Sequence, residues 1–247
     1  MTGGQRRGSI GTGALYAVFA LIGLSLMLTG CSVHAAGRPA AAPDLGHWRP
    51  PPIPNTALED LLLTAGDIHA IPGGSSLEMR RPVKALRHGE EGLADRNCLD
   101  AYDPAESIVY AGSNWTAVKG QLLDDGGDAG GPAYRHTLTQ VVVGFRDADS
   151  AQEFFAQAKQ RWSACSNRSV TFAPPGYRSS VWEFGDAVAT ETTLTMSQTE
   201  ENTDGWRCQR AMGLRNNVII DAMFCGYDAT DQAGSVVNKI ADAVSRS

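Results

Sequence analysis

Two strand-like runs near the carboxyl end of the chain flank Asn216-Asn217, and they constrain the fold more than any other feature. Asparagine tolerates the positive φ angles of a two-residue type I′ turn, although Asn-Gly would be a stronger hairpin signal. With these residues as the turn, Arg215 faces Val218, and the pairing runs outward until Cys208 lies directly opposite Cys225. Non-hydrogen-bonded partners have Cα atoms about 4.5 Å apart, near the lower end of the disulfide range. The register therefore predicts a Cys208–Cys225 disulfide in an antiparallel hairpin.

The amino-terminal residues have the parts of an export signal. Arg6 and Arg7 form a short positive region, and residues 14–29 form an uncharged run that is too short for a spanning helix of about 20 residues. The run ends in Leu28-Thr29-Gly30-Cys31, which resembles the lipobox of bacterial lipoproteins. We predict a signal peptide over 1–30 and a lipid anchor at Cys31 that holds the chain on the extracytoplasmic face of the cell membrane. The alternative is an ordinary secretory signal or membrane anchor with a chance cysteine.

Export also accounts for the remaining cysteines. Four are left once Cys31 is set aside, and an even number in an exported protein is typical of disulfides. Because the hairpin uses two of them, elimination predicts a second disulfide between Cys98 and Cys165.

Composition divides the rest of the chain into two parts. Residues 31–55 are rich in Ala and Pro and are predicted to form a semi-stiff tether, while 56–247 are long enough for one domain with a proper core. Removal of 1–30 shifts the formal charge from −6 to −8. An acidic chain without a dense Lys/Arg patch is not expected to bind nucleic acid, or to bind lipid headgroups through a basic surface.

The spacing of apolar residues predicts an α+β domain in which helices pack on an antiparallel sheet. Helices are predicted after capping boxes at Thr56–Glu59 and Ser150–Glu153 and after a cap at Thr230, whereas 71–97 is predicted to be irregular. Besides the hairpin, strands are predicted over 115–123, 134–145, 169–172, 181–184 and 188–199.

No active site is evident in the sequence. It has no Gly-x-Ser-x-Gly motif and no metal-binding Cys/His spacing, and the acidic run that begins at Asp124 does not fit a calcium loop. His136 follows Arg135 in a predicted strand, which is more typical of a structural histidine than of a catalytic base. We therefore predict no enzyme activity, no metal site and no cofactor.

One polar pair on the hairpin has two interpretations. Arg210 and Asp221 are diagonal neighbours on the face that carries the disulfide, close enough for an ion pair. The simpler interpretation is a structural salt bridge at a sheet margin. The alternative places the pair, with Tyr110 and Trp115, beside a ligand cleft, because pockets combine aromatic walls with a few polar groups.

An ordered set of motifs runs through residues 103–246. Its members are Tyr110-Ala-Gly-Ser113, Trp115-Thr-Ala-Val118, Val141-Val-Val-Gly-Phe145, Ala151 through Cys165, Cys208-Gln-Arg-Ala211, Asn216 to Asp221 and the closing helix. The set resembles the PknH-like extracellular sensor domain family, which occurs on a mycobacterial serine/threonine kinase and on free-standing mycobacterial lipoproteins. The resemblance implies a twisted antiparallel sheet flanked by helices, two disulfides and a cleft for an unidentified ligand.

The anchor and the resemblance together predict a sensor or binding domain of the cell envelope. Its ligand would be a small molecule, glycan or lipid related to the cell wall. The alternative is a structural or interaction module that docks on a membrane kinase or an envelope assembly complex. A lipid anchor cannot carry a conformational change across the membrane, so signalling would need a second protein.

Overall fold

The computed structural model describes residues 50–74, 76–126 and 135–246, and these contain a nine-stranded antiparallel sheet. The strands in chain order are β1 Glu78–Val83, β2 Trp115–Asp124, β3 His136–Phe145, β4 Ser169–Phe172, β5 Ser180–Phe184, β6 Val188–Ala189, β7 Thr193–Glu200, β8 Arg207–Arg215 and β9 Val218–Gly226. Across the sheet the order is β1-β2-β3-β9-β8-β7-β5-β4, and β6 pairs with β7 off this path. The predicted α+β class with an antiparallel sheet is confirmed.

Helices lie on both faces of the sheet. They are α1 Ala65–His69, α2 Leu99–Tyr102, α3 Ser107–Tyr110, α4 Ala148–Cys165 and α5 Gln232–Arg246, with short 3-10 turns at Asn55–Ala57, Glu59–Leu61 and Arg96–Cys98. None of the described helices has the length and apolar character that a membrane-spanning helix needs. The predicted signal peptide and Cys31 lie outside the described residues.

The hairpin has the register that the sequence predicts. Arg215 pairs with Val218, and Cys208 pairs with Cys225. Among the two turn residues, Asn216 has φ 50° and Asn217 does not have a positive φ, so the predicted type I′ turn, which needs two, is wrong. The buried Asn217 side chain instead accepts a hydrogen bond from the Ile53 N–H (2.7 Å) and donates to the Phe145 carbonyl (2.8 Å).

Both predicted disulfides are confirmed. The Cα atoms of Cys208 and Cys225 are 4.0 Å apart, and those of Cys98 and Cys165 are 5.7 Å apart. All four cysteines belong to the same buried cluster, on the face of the sheet that α4 covers.

We call this side of the sheet the α4 face; it is covered by α4 and by the irregular segment 84–113. Helical spacing places four large or apolar residues on one side of α4, and all are buried there: Phe154, Phe155, Ala158 and Trp162. The opposite side, the α5 face, is covered by α5 and by residues 53–77. Six apolar residues at helical spacing on one side of α5 are all buried: Ala233, Val236, Val237, Ile240, Ala241 and Val244.

Helix starts differ from the predictions because nearby acids provide better caps. Residues 55–61 form 3-10 turns, and the capping box of this region joins Thr64 to Asp67, not Thr56 to Glu59. Helix α4 begins three residues early because the Asp147 carboxylate accepts from the Ser150 N–H at 2.8 Å. The Thr230 hydroxyl donates to Asp231 (3.3 Å) instead of capping α5.

Two segments that were predicted to be irregular or extended have other structures. Residues 78–83 form β1, an edge strand, and five of its six residues are exposed, so no alternation marks it. Residues 107–110, which lie outside the predicted strands, form α3. The predicted strand 188–199 is broken by a turn after Ala189, and Val188 is exposed while Leu194 and Met196 are buried.

The described fold begins inside the predicted tether. Ile53 is buried on the α5 face, and its carbonyl accepts a hydrogen bond from the Asn217 side chain at 3.1 Å. Residues 53–55 therefore pack with the domain that was predicted to begin at residue 56.

Candidate functional site

The Arg210–Asp221 ion pair forms as the diagonal register predicts. One Nη of Arg210 lies 2.7 Å from an Asp221 carboxylate oxygen, and the side chains are 0% and 1% exposed. Strands β8 and β9 are interior strands, so the pair lies in the middle of the sheet and not at its margin. A buried ion pair needs further hydrogen bonds to offset the loss of hydration.

Asp221 obtains those bonds from the covering segment. Its second carboxylate oxygen accepts from the Ala105 N–H (2.8 Å) and from the Tyr110 hydroxyl (3.2 Å). Burial raises the pKa of Tyr110 well above its usual value, and the neighbouring Asp221 raises it further. The structure thus brings together three of the four predicted ligand-binding residues. The fourth, Trp115, is partly exposed at the start of β2 and is not part of this cluster.

Arg210 holds α2 against the sheet. Its guanidinium donates to the Asp100 carbonyl (3.0 Å) and the Ala222 carbonyl (2.7 Å), and it lies 4.9 Å from the centre of the Trp162 ring. Among the described residues, its Nε has no hydrogen-bond partner. Arg210 therefore connects two strands to α2 from within the core.

Two more ion pairs extend this network. Arg161 contacts Asp100 at 2.7 Å, and Arg87 contacts Asp103 at 2.7 Å. Burial raises the pKa of both carboxyls, and the paired arginine opposes the shift in each case. Three arginines thus neutralise three aspartates around α2, which fixes the main chain on either side of Tyr102.

Beside this network, the α4 face has an open concavity of about 250 Å³. We call it the aromatic concavity, and its lining residues are Tyr102, Asp103, Thr137, Trp182, Gln198, Glu200, Trp206, Cys208, Met223 and Cys225. The Cys208–Cys225 disulfide is therefore part of its surface. Tyr102 packs edge-on to Trp182 with ring centres 5.8 Å apart, and Trp206 packs edge-on to Tyr227 at 5.3 Å.

Gln198 joins the wall of the concavity to the network. Its side-chain Nε2 donates to the carbonyls of Ala101 and Tyr102 (3.1 Å to the latter). The amide is almost fully buried, so it fixes the end of α2 where Tyr102 enters the concavity. Arg210 and Gln198 together hold this wall in place.

Two other concavities have less suitable linings. One of about 270 Å³ lies between Met79 on β1 and Lys119 on β2 and has no aromatic side chain in its lining. Another, of about 100 Å³, lies between Gly112 and Gln157. Of these three concavities in the described part of the chain, the aromatic concavity combines several aromatic walls with polar groups.

His136 lies between two carboxylates. It contacts Asp125 through Nδ1 (3.0 Å) and Asp228 through Nε2 (2.8 Å), so its ring joins two loops. Among residues 50–74, 76–126 and 135–246, no group of three His, Cys, Asp or Glu side chains is arranged to hold a metal ion.

Glu106 is a buried acid on the α4 face that the sequence did not single out. One carboxylate oxygen accepts from the Gly89 N–H at 2.6 Å, and the other has no partner among the described residues. Burial raises the pKa of Glu106 to about 7; the Gly89 hydrogen bond opposes this shift and Asp103 adds to it.

The sequence did not predict the aromatic concavity. Tyr102, Trp182 and Gln198 come from separate elements, and the hairpin register relates only Cys208, Cys225 and their neighbours to one another. A search for aromatic residues in irregular segments near cysteines would have found Tyr102, four residues after Cys98.

A family model for the PknH-like extracellular domain matches residues 53–243. Serine/threonine-protein kinase PknH of Mycobacterium bovis is 32% identical over 234 residues, which are 94% of this chain and 37% of that protein. PknH of Mycobacterium tuberculosis is 34% identical over 199 residues, which are 80% of this chain and 31% of that protein. The chain thus spans about a third of the length of these kinases.

A solved structure has the same fold. The crystal structure of the extracellular domain of PknH from Mycobacterium tuberculosis superposes with a TM-score of 0.75 at 32% sequence identity. The match covers 80% of this chain and 99% of that one, so the likeness extends over a whole extracellular domain.

Proposed function

The chain belongs to the PknH-like extracellular domain family, and we propose that it is a binding module of the cell envelope whose ligand occupies the aromatic concavity. The observation that carries the proposal is a wall, α2, fixed by Arg210 and Gln198 beside Tyr102, Trp182 and Trp206. Such a preformed wall loses little entropy on binding. Arg210, Asp221 and Tyr110 then act as positioning residues beneath the concavity.

The volume of the concavity limits the size of the ligand that it can hold. About 250 Å³ is slightly below the usual range for drug-sized ligands, so it suits a small molecule or one unit of a glycan. Because the concavity is open and partly polar, it is a poor container for an acyl chain. We therefore favour a small or sugar-like ligand over a lipid.

The proposal includes a lipid anchor at Cys31. At least two acyl chains are needed for stable anchoring, and a lipobox cysteine carries that number. Cys31→Ala should leave an uncleaved or soluble protein, which detergent phase partition and intact mass measurement would detect. A processed Cys31→Ala form that still partitions with membranes would contradict the anchor.

Signal transfer in this proposal needs a second protein. The relatives are serine/threonine-protein kinases, and the chain matches the extracellular domain of PknH. A domain held only in the outer leaflet would bind its ligand and present it to such a partner.

Native mass spectrometry tests whether a ligand occupies the aromatic concavity. The protein is extracted gently from envelopes, and the spectrum is searched for a retained small mass. Trp206→Ala should lose that mass because it removes one wall, whereas Trp115→Ala, an exposed tryptophan outside the concavity, should keep it. Retention by both variants, or loss by both, would refute the site.

A further inference from the structure

We propose that the aromatic concavity takes a cationic group, an ammonium or a guanidinium carried on an apolar frame such as an amino sugar or a basic side chain. The inference rests on the proposed function and specifies the chemistry of its ligand. It follows from the charge, the aromatic surface and the hydrogen-bonding groups of the lining.

All charged side chains in the lining are acids. Asp103 and Glu200 line the concavity, and no Lys or Arg is among its lining residues. Asp103 is paired with Arg87, but Glu200 has no ion pair among the described residues. Glu200 therefore leaves one negative charge without a partner beside aromatic rings.

Three arginines near the lining do not supply a balancing charge. Arg87 is already paired with Asp103 at 2.7 Å. Arg210 lies below the surface, and its two Nη atoms already bond Asp221 and two main-chain carbonyls. Arg207 precedes Cys208 on β8, and because strand side chains alternate, it projects from the opposite face. An anionic ligand would therefore meet repulsion from Glu200 without a cation to offset it.

The aromatic walls favour the same ligand charge. A cation over the face of Trp or Tyr is attracted by the ring quadrupole when it lies within about 6 Å of the ring centre. Tyr102, Trp182 and Trp206 all line the concavity that Glu200 shares. A carboxylate beside several rings is the combination that binds alkylammonium groups.

Gln198 adds a hydrogen-bond acceptor to the lining. Both of its side-chain hydrogen bonds use Nε2, and among the described residues no donor binds its Oε1. That oxygen can accept a hydrogen bond from a ligand N–H or O–H group.

Binding of matched probes by the full chain in detergent tests the inference. Glucosamine carries the cation, glucose is the neutral control and glucuronate is the anionic control; Nα-acetyl-lysine amide distinguishes a basic side chain from a sugar. Chemical shifts of the Trp206 and Trp182 indole N–H groups report binding in the concavity. We expect glucosamine or the lysine amide to bind, and glucose to bind about tenfold more weakly.

Two variants separate the role of Glu200 from general charge. Glu200→Gln should weaken binding of the cationic probe about tenfold. Glu201→Gln, an exposed neighbour outside the lining, has the same change in charge and should leave binding unchanged.

The possible failures are distinguishable. Equal binding of glucose and glucosamine, or equal effects of the two variants, would overturn the cationic preference. If no probe shifts the indole signals while the envelope-derived mass still depends on Trp206, the ligand chemistry is wrong and the proposed function stands. If that mass does not depend on Trp206 either, both are wrong.

Discussion

The two faces of the sheet are covered in different ways, although they share the same strands. On the α5 face, neutral amide side chains hold the covering segment 53–77. Gln140 accepts from the Leu63 N–H (3.0 Å) and donates to the Leu63 carbonyl (3.1 Å). Asn217 makes the same two hydrogen bonds with Ile53. On the α4 face the irregular segment 84–113 is held by buried ion pairs and by the Cys98–Cys165 disulfide.

The attachments that a covering segment needs depend on how much regular structure covers the same face. One amide side chain satisfies both main-chain groups of one residue in the covering segment without bringing in charge. This attachment suffices where α5 provides a continuous apolar cover. Segment 84–113 has only two helices, each of four residues, so it needs stronger attachments. The α4 face accordingly combines covalent, ionic and aromatic contacts at the edge of the aromatic concavity.

Asp221→Ala should cause the largest effect. It leaves the Arg210 guanidinium buried without its partner and removes the acceptor for Ala105 and Tyr110, so the loss should be about 5 kcal/mol of unfolding free energy. Urea unfolding at neutral pH measures it, with Asp242→Ala, an exposed acid on α5, as the control for net charge. A loss below about 1 kcal/mol would mean that the charged network is not what holds the α4 face.

Removal of either disulfide should cause the next largest loss of unfolding free energy. Cys98→Ala with Cys165→Ala opens a sequence separation of 67 residues, whereas Cys208→Ala with Cys225→Ala opens one of 17. Loop-closure entropy predicts losses of about 4 and about 3 kcal/mol. Urea unfolding under oxidising conditions compares the two pairs; the reverse order would show that contacts in the native state outweigh loop entropy.

Asn217→Ala tests the neutral attachment on the α5 face. It removes three hydrogen bonds to main-chain groups of Ile53 and Phe145, and we expect a loss of about 2 kcal/mol. The loss should be the same at pH 5 and pH 8, because no charge is involved. Asn238→Ala on the exposed side of α5 is the control, and a pH-dependent loss for Asn217→Ala would contradict the distinction between the faces.

Glu106→Gln should have the smallest effect, and one that depends on pH. Its folded pKa of about 7 lies above the ordinary value of 4.5, so the protonated form favours folding and stability falls as pH rises through 7. The variant keeps an acceptor for the Gly89 N–H and should gain about 1 kcal/mol over the native chain at pH 8 but little at pH 5. Unfolding midpoints at both pH values measure this.

Glu183→Gln, an exposed acid on β5, is the matched control for that experiment and should show no such change between the two pH values. A Glu106→Gln effect independent of pH would mean that the carboxyl titrates normally. Arg87, Asp103 and Glu90 are the charged groups that act on Glu106 in this comparison.

Elements with a strong internal pattern could be predicted from the sequence. The Asn216-Asn217 hairpin fixes its own register, so the Cys208–Cys225 disulfide and the Arg210–Asp221 diagonal follow from counting residues. The buried sides of α4 and α5 follow from helical spacing. In these cases the information lies within one element or one turn.

What could not be predicted depends on distant partners. Strand β1 has Arg80, Arg81 and Pro82 exposed at a sheet edge, so its sequence lacks the alternation of a half-buried strand. Arg161 is an ordinary helix residue until Asp100 meets it from another segment. The concavity is missed for the same reason, because its walls come from α2, β5 and the start of the hairpin.

The position of β9 between β3 and β8 has a consequence for how the chain folds. A chain that emerges amino end first completes β1, β2 and β3 long before β9 exists, and β3 is nearly all buried in the finished sheet. Until the last strand inserts, Val141-Val142-Val143 presents an unpaired apolar edge, which is the kind of surface that nucleates aggregation. The insertion of β9 between β3 and β8 should therefore be the slowest step of folding, and the chain should be most prone to aggregation before it. A chaperone would protect the chain most during that interval.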